Sequence, residues 1–447
     1  MRLFKALLAL VLALLCMTLC GACRSLQEQA APVEEVVSDF TGAAEEEASP
    51  RYKLAIIAQS AEPERFGDWY CVQPLIDKYG EDRVERWVWP ENLLENQDKA
   101  LEFVQGLLGN NDIRAIIING AVPGAQAAIE KLCQEAGQDV FVAFNCYPLD
   151  EFYAFATANL VLCTDLLGLS PAMAEQAYTL GAKTLVYYSS PKAITGYQVL
   201  AYYPDFYDDD PAMLKKILKE QDMLQEGLEQ VKQKCAELGL ELVEVEAIDP
   251  PSNINDFNEY RFMAADIPQK VEKYGKDTAF YSTRGLSAVA LIQPVIEAGA
   301  IFPQTWYPHP YEEFDRALLG LYIADDGYEA DPLTYDDPGY VMASTEDIFA
   351  RLRAALAKQD MLGRISTWPV RADYMYAAVA ADYAFAWING EVRQDGIDRG
   401  FLKQLMMDYA GVEVFLTPYT DAYPYTEEGS GEIFDSFLLV RMGYTTF

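Results

Sequence analysis

The sequence predicts an α/β protein of two lobes, each built on a mainly parallel sheet, with a cleft between them. Three observations predict this. Short apolar runs alternate with amphipathic segments from Arg51 onward. Several runs are apolar at every position rather than every second one, which marks strands covered on both faces. The alternation breaks and restarts along residues 51–447, a length too great for one hydrophobic core.

In order, KLAIIAQS (53–60) is the first strand, and a helix follows through VQPLIDKYG (72–80). RVERWVWP is a strand closed by Pro90. NQDKALEFVQGLL (96–108) has apolar residues three and four apart, the spacing of an amphipathic helix. RAIIING is the third strand, and AQAAIEKLCQEAG is a helix stopped by Gly137. DVFVAFN and NLVLCTD are strands four and five. The pattern restarts with a helix over 170–182, with Pro171 in its first turn. KTLVYYSSP is a strand, and a Tyr- and Asp-rich insertion precedes a long helix from about Ala212 to Leu238. LELVEVEAID, DTAFYST and AIFPQTWYP are strands, separated by helices in DIPQKVEKYG and GLSAVALIQPVIEAG. The last quarter holds a helix over 347–358, the segment RISTWPV, an aromatic helix from Ala372 to Asn389, and the apolar run FDSFLLVRM.

The amino terminus is an export signal: Arg2 and Lys5 precede an apolar run from Ala6 to about Leu19. Residues 24–50 carry seven acids and one arginine, so they read as a self-repelling tether. As a flexible coil it reaches roughly 30 Å. The formal charge of −35 and pI near 4.3 exclude nucleic acid, which needs basic phosphate contacts. Of eight cysteines, Cys71, Cys133, Cys146, Cys163 and Cys235 lie in the folded part without CxxC spacing. They read as small buried apolar residues rather than a disulfide framework or zinc site.

The chain resembles lipoproteins of the type I periplasmic-binding-protein fold, with two Rossmann-like lobes. The residues that carry this are the LCGAC ending of the signal, the acidic tether, and CTDLLGLSPAMAEQAYTLGAKTLVYYSSP (163–191). More narrowly, AIIINGAVPG, PQKVEKYGKDTAFYSTRG, EAGAIFPQ, ISTWPV and AADYAFAWINGE are similar to an uncharacterised bacterial lipoprotein family within that fold. The resemblance implies a signal peptide over 1–22, a lipidated Cys23 and a tether over 23–50. Lobe 1 is expected over 51–165 plus about 366–447, and lobe 2 over about 166–365. It also implies a membrane-anchored, extracytoplasmic solute-binding protein, handing a small polar ligand to an ABC-type permease or a membrane sensor. No cofactor is expected.

In open α/β sheets, ligands bind beyond the carboxyl ends of the strands. In the first lobe the residues there are Gln59, Ser60, Asn119, Gly120, Asn145, Tyr147, Thr164 and Asp165. In the second they are Ser189, Ser190, Asp249, Ser282, Thr283 and Arg284. Ser366, Thr367 and Trp368 join them at the late crossing, and His309 follows a strand between two prolines. The set is rich in neutral hydrogen-bonding groups, which suits a small polar organic ligand. Arg284 has the form of a carboxylate clamp. Each residue taken alone serves more readily as a helix cap or a backbone partner than as a ligand contact.

Bond-making chemistry finds little support. NGAVPG has two glycines four apart, no Lys-Ser/Thr, and a proline without an N–H, so it is not a phosphate loop. A Ser-His-Asp triad could use only His309, and GxSxG is absent. DFYDDDP and TYDDPGY lack the spacing of a calcium loop. An exported enzyme on the same scaffold, and a surface protein used for adhesion or signalling, remain the rival expectations.

Overall fold

In the computed structural model, residues 52–58, 68–93, 95–120, 122, 124–137, 139–146, 157–189, 211–246, 258–283, 285–305, 308–311, 314, 317–319, 345–420 and 433–447 are described. The signal, Cys23, the tether and the Tyr- and Asp-rich insertion lie outside them. So do Gln59, Ser60, Tyr147, Ser190, Asp249 and Arg284. Among the described residues no helix is long and apolar enough to cross a membrane.

The first sheet contains β1 (Lys53–Ala58), β2 (Val84–Val88), β3 (Ile113–Asn119), β4 (Phe141–Cys146), β5 (Leu160–Thr164), β10 (Val414–Thr420) and β11 (Ile433–Met442). Their order is β10-β11-β5-β4-β3-β1-β2, parallel throughout except for the β10–β11 pair. Alternate residues serve opposite cores, because successive strand side chains point to opposite faces. Leu54, Ile56, Ala115, Ile117, Phe141, Ala143, Leu160 and Leu162 face one core; Ala55, Ile57, Ile116, Ile118, Val142, Phe144 and Val161 face the other. The second core is closed by α2 (Gln97–Leu108) and α3 (Gln126–Ala136). The first is closed by α1 (Asp68–Tyr79), α9 (Ala372–Ile388) and α10 (Arg399–Ala410). α9 is buried on nearly every side, because it packs on β3, β4 and β5 and between α1 and α10. Phe141 meets Tyr383 and Trp387 there, with ring centroids 5.8 and 5.5 Å away.

The second sheet has β6 (Thr184–Ser189) between β7 (Glu241–Glu246) and β8 (Thr278–Ser282), all parallel. Parallel bridges Ala279–Ile301 and Phe302–Ile365 carry the pairing onward. The antiparallel pair β9 (Ser366–Thr367) and β12 (Thr445–Thr446) follows directly after Ile365. Helices α4 (Leu166–Thr179) and α5 (Pro211–Leu238) cover one face. Helices α6 (Asn258–Tyr274), α7 (Gly285–Glu297) and α8 (Thr345–Ala357) cover the other.

The chain passes between the sheets three times: from β5 into α4, from β9 into α9, and from β11 into β12. The first and third passages are tied by a hydrogen bond from Asp165 N to Val440 O, 2.9 Å.

Five elements differ from expectation. α4 begins at Leu166 rather than Ser170, because the Asp165 carboxylate accepts from Gly168 N at 3.0 Å and starts the helix early. Pro171 therefore lies inside the helix. α6 begins at Asn258, upstream of the expected DIPQKVEKYG. The described residues of AIFPQTWYP form only the two bridges at Ile301 and Phe302. α10 and β10 were not foreseen at all. Asp398 caps α10 by accepting from Phe401 N at 3.0 Å. Asp398→Ala is expected to cost about 1 kcal/mol in urea unfolding; no change in midpoint would remove the cap from the account.

Candidate functional site

Asn119 and Thr164 end β3 and β5, Asn145 is the penultimate residue of β4 between them, and all three are buried. By strand alternation they share the sheet face that packs on α9. Asn119 and Asn145 are register partners, and Asn145 Nδ2 donates to Asn119 Oδ1 at 3.2 Å. Asn145 Oδ1 is buried and accepts no hydrogen bond. Gly120 turns the chain at φ +94° and donates its N–H to Asn145 O at 3.0 Å. The hydroxyls of Thr164 and Tyr376 lie 3.0 Å apart, which places the amino-terminal turns of α9 over the strand ends.

The segment leading into α9 supplies the charged part. Arg371 holds both oxygens of Asp373, with Nε–Oδ1 at 3.1 Å and Nη2–Oδ2 at 2.6 Å, and covers the Tyr374 ring at 4.0 Å. Burial acts against the guanidinium charge, but Asp373 outweighs it and raises the Arg371 pKa above its ordinary value.

His309 faces Arg371 from the segment that follows the Ile301–Phe302 bridges. It is 7% exposed. Its Nδ1 accepts from Tyr311 N at 3.3 Å, and the Tyr311 ring meets it edge-on at 4.7 Å. Burial, and secondarily the Arg371 charge, push the imidazole pKa well below the ordinary histidine value. The ring is therefore neutral, with its proton on Nε2. Thr367 fixes the segment by donating to Pro310 O at 3.0 Å.

The other expected site residues are distributed as follows. Ser282 and Thr283 are buried at the end of β8, and Thr283 N donates to Tyr188 O at 3.2 Å. Ser189 is half-buried at the end of β6. Ser366 donates to Pro303 O. The Asp165 carboxylate is occupied as the α4 cap. Trp368 is enclosed, with its ring against Tyr444 at 4.8 Å. Asn119, Asn145 and Thr164 thus form one row, and His309 and Thr367 one cluster beside Arg371.

Sequence reasoning missed Arg371, Tyr374, Tyr376 and the buried Gln304. The strand-end rule stopped at Trp368, whereas TWPVRADYMY continues into the first turn of α9 over the same strand ends. An aromatic and charged helix start directly after a crossing was the available signal.

The chain matches, over residues 52–205 and 216–335, the family described as "Protein of unknown function (DUF3798)". An uncharacterized protein of Treponema pallidum (strain Nichols) is 26% identical over 196 residues, which is 44% of this chain and 78% of that protein. A crystal structure from Clostridium difficile 630, named for a suspected role as a transcriptional regulator, is 18% identical. It shares the fold with a TM-score of 0.64 over 89% of this chain and 99% of its own. A sugar ABC transporter structure from Actinomyces odontolyticus ATCC 17982 is 9% identical, covering 76% of this chain and 84% of its own, with a TM-score of 0.41.

Proposed function

The chain belongs to the DUF3798 family, and from that premise we propose that it is an extracytoplasmic solute-binding protein, tethered to the membrane through a lipidated Cys23. Its two lobes, 51–165 with about 366–447 and about 166–365, close on a small polar ligand for uptake or sensing. The partner for uptake is an ABC-type permease, and for sensing a membrane receptor. No bond is made or broken; the work is hinge closure coupled to binding.

One observation carries the reading. The row Asn119, Asn145 and Thr164 stands at the carboxyl ends of three parallel strands and keeps a buried acceptor without a partner. Leaving such a group unmade costs about 1–3 kcal/mol, so a partner that arrives with a ligand repays its retention. The three crossings support closure, since they are the only described backbone passages that join the sheets.

The test is a thermal-shift screen of the full chain against sugars, nucleosides, amino acids and carboxylates. At least one compound is expected to raise the melting temperature in a saturable way. A melting temperature unchanged by all of them contradicts the proposal, and a compound consumed during the assay favours the rival exported enzyme.

A further inference from the structure

The Asn119–Asn145 pair has a defined polarity. One N–H of Asn145 Nδ2 is committed to Asn119 Oδ1, while Asn145 Oδ1, an acceptor, is the buried atom of the pair left without a partner. An acceptor is completed only by a donor. A carboxylate or phosphate oxygen brought to it would repel it, whereas a hydroxyl or amide N–H would complete it.

The charges around the strand ends point the same way. Arg371 is held by Asp373 through both carboxylate oxygens, so the pair adds no net charge. The Asp165 carboxylate accepts from the first turn of α4. The remaining groups brought together here, Thr164 and Tyr376, are hydroxyls. Among the described residues, this end of the first sheet offers an anion no unpaired cation, and an ammonium group no unpaired carboxylate.

We infer that the ligand is uncharged and presents a hydroxyl or amide N–H donor to Oδ1 of Asn145, the open end of the Asn119–Asn145 pair. The inference rests on the solute-binding reading and narrows its ligand class.

The experiment is calorimetric titration of the full chain with matched sets differing only in charge: glucose with gluconate and glucosamine, myo-inositol with its monophosphate, and inosine with its 5′-monophosphate. An uncharged member is expected to bind, and its charged counterparts to bind tenfold or more weakly. Asn145→Leu removes the acceptor and is expected to weaken the uncharged ligand about tenfold or more. Asn145→Ala, which cannot overpack, is the companion variant, and circular dichroism checks that both fold. Three results overturn the inference. The first is a charged member that binds as well as its neutral partner, with loss on Arg284→Ala placing the clamp there. The second is binding by both Asn145 variants as tight as the parent's, which leaves Oδ1 serving water alone. Failure of every compound to bind removes the solute-binding reading as well, whereas the first two results leave that reading standing.

Discussion

Trp368→Ala is expected to destabilise the protein by about 3–5 kcal/mol, the range for emptying a fully enclosed aromatic site. Trp368 is 0% exposed and is among the largest fully buried side chains. It belongs to the core formed by the first sheet with α1, α9 and α10. Its ring lies on Tyr444, and Tyr444 in turn donates to Gln304 Oε1. Trp368 follows β9 and Tyr444 precedes β12, so the contact clamps two of the three passages between the sheets. Nε1 of Trp368 has no hydrogen-bond partner, so the loss is one of packing alone. Trp368→Phe should therefore recover much of it. Urea unfolding followed by far-ultraviolet circular dichroism measures this without relying on tryptophan emission. A cost below about 1 kcal/mol, the scale of a surface change, would contradict the clamp.

The second large effect is a loss of stability below neutral pH traceable to one residue. His309 is the chain's single histidine. Burial and the Arg371 charge lower its pKa in the folded protein, while the unfolded chain takes up a proton near pH 6.5. The unfolded state therefore binds more protons below that value. The stability contributed by neutral His309 is complete above about pH 6.5 and falls as pH drops, by at most about 1.4 kcal/mol per pH unit. Paired carboxylates such as Asp277, whose pKa is lowered chiefly by a hydrogen bond from Lys183, act in the same direction but near pH 4. The window between pH 7.5 and 5 thus isolates the histidine. His309→Asn offers Tyr311 N an acceptor in place of Nδ1 and does not titrate. Its unfolding free energy should stay nearly level across the window while that of the parent falls. Parallel curves for the two proteins would refute the assignment.

The legible parts of the fold were those whose physics is local. β1, β3, β4 and β5 announced themselves because strands buried on both faces admit no polar residue until their ends. The same feature exposed Asn119, Asn145 and Thr164 as site candidates: a polar side chain ending an apolar run is conspicuous. β10 was illegible because VFLTPYT alternates on an antiparallel edge and contains Pro418, tolerated there since an edge strand need not donate every N–H. α4 was misplaced because Pro171 suggests a first turn, while the cap that decides the start is a contact made by Asp165, six residues before that proline. The pairing of β12 with β9 joins residues about eighty positions apart, and two short polar segments carry no signal of it. Arg371 and Tyr376 gain meaning only from the crossing that sets α9 over the strand ends. Trp368 stood among the site candidates at the late crossing; its place is in the interior against Tyr444.

Three of the five cysteines expected as small interior residues are buried. Cys71, Cys163 and Cys235 are buried, Cys133 is half-buried, and all four are free thiols. Burial pushes the Cys133 and Cys235 thiols up to about 11, so neither is a ready nucleophile at neutral pH.

Native mass spectrometry of the full chain, purified from its own host without exchange into denaturant, tests the central claim most directly. The account predicts a non-covalent small-molecule adduct that is uncharged in free solution and is lost in Asn145→Leu. A chain that carries no adduct, and that acquires none from the host's metabolite extract, would contradict it.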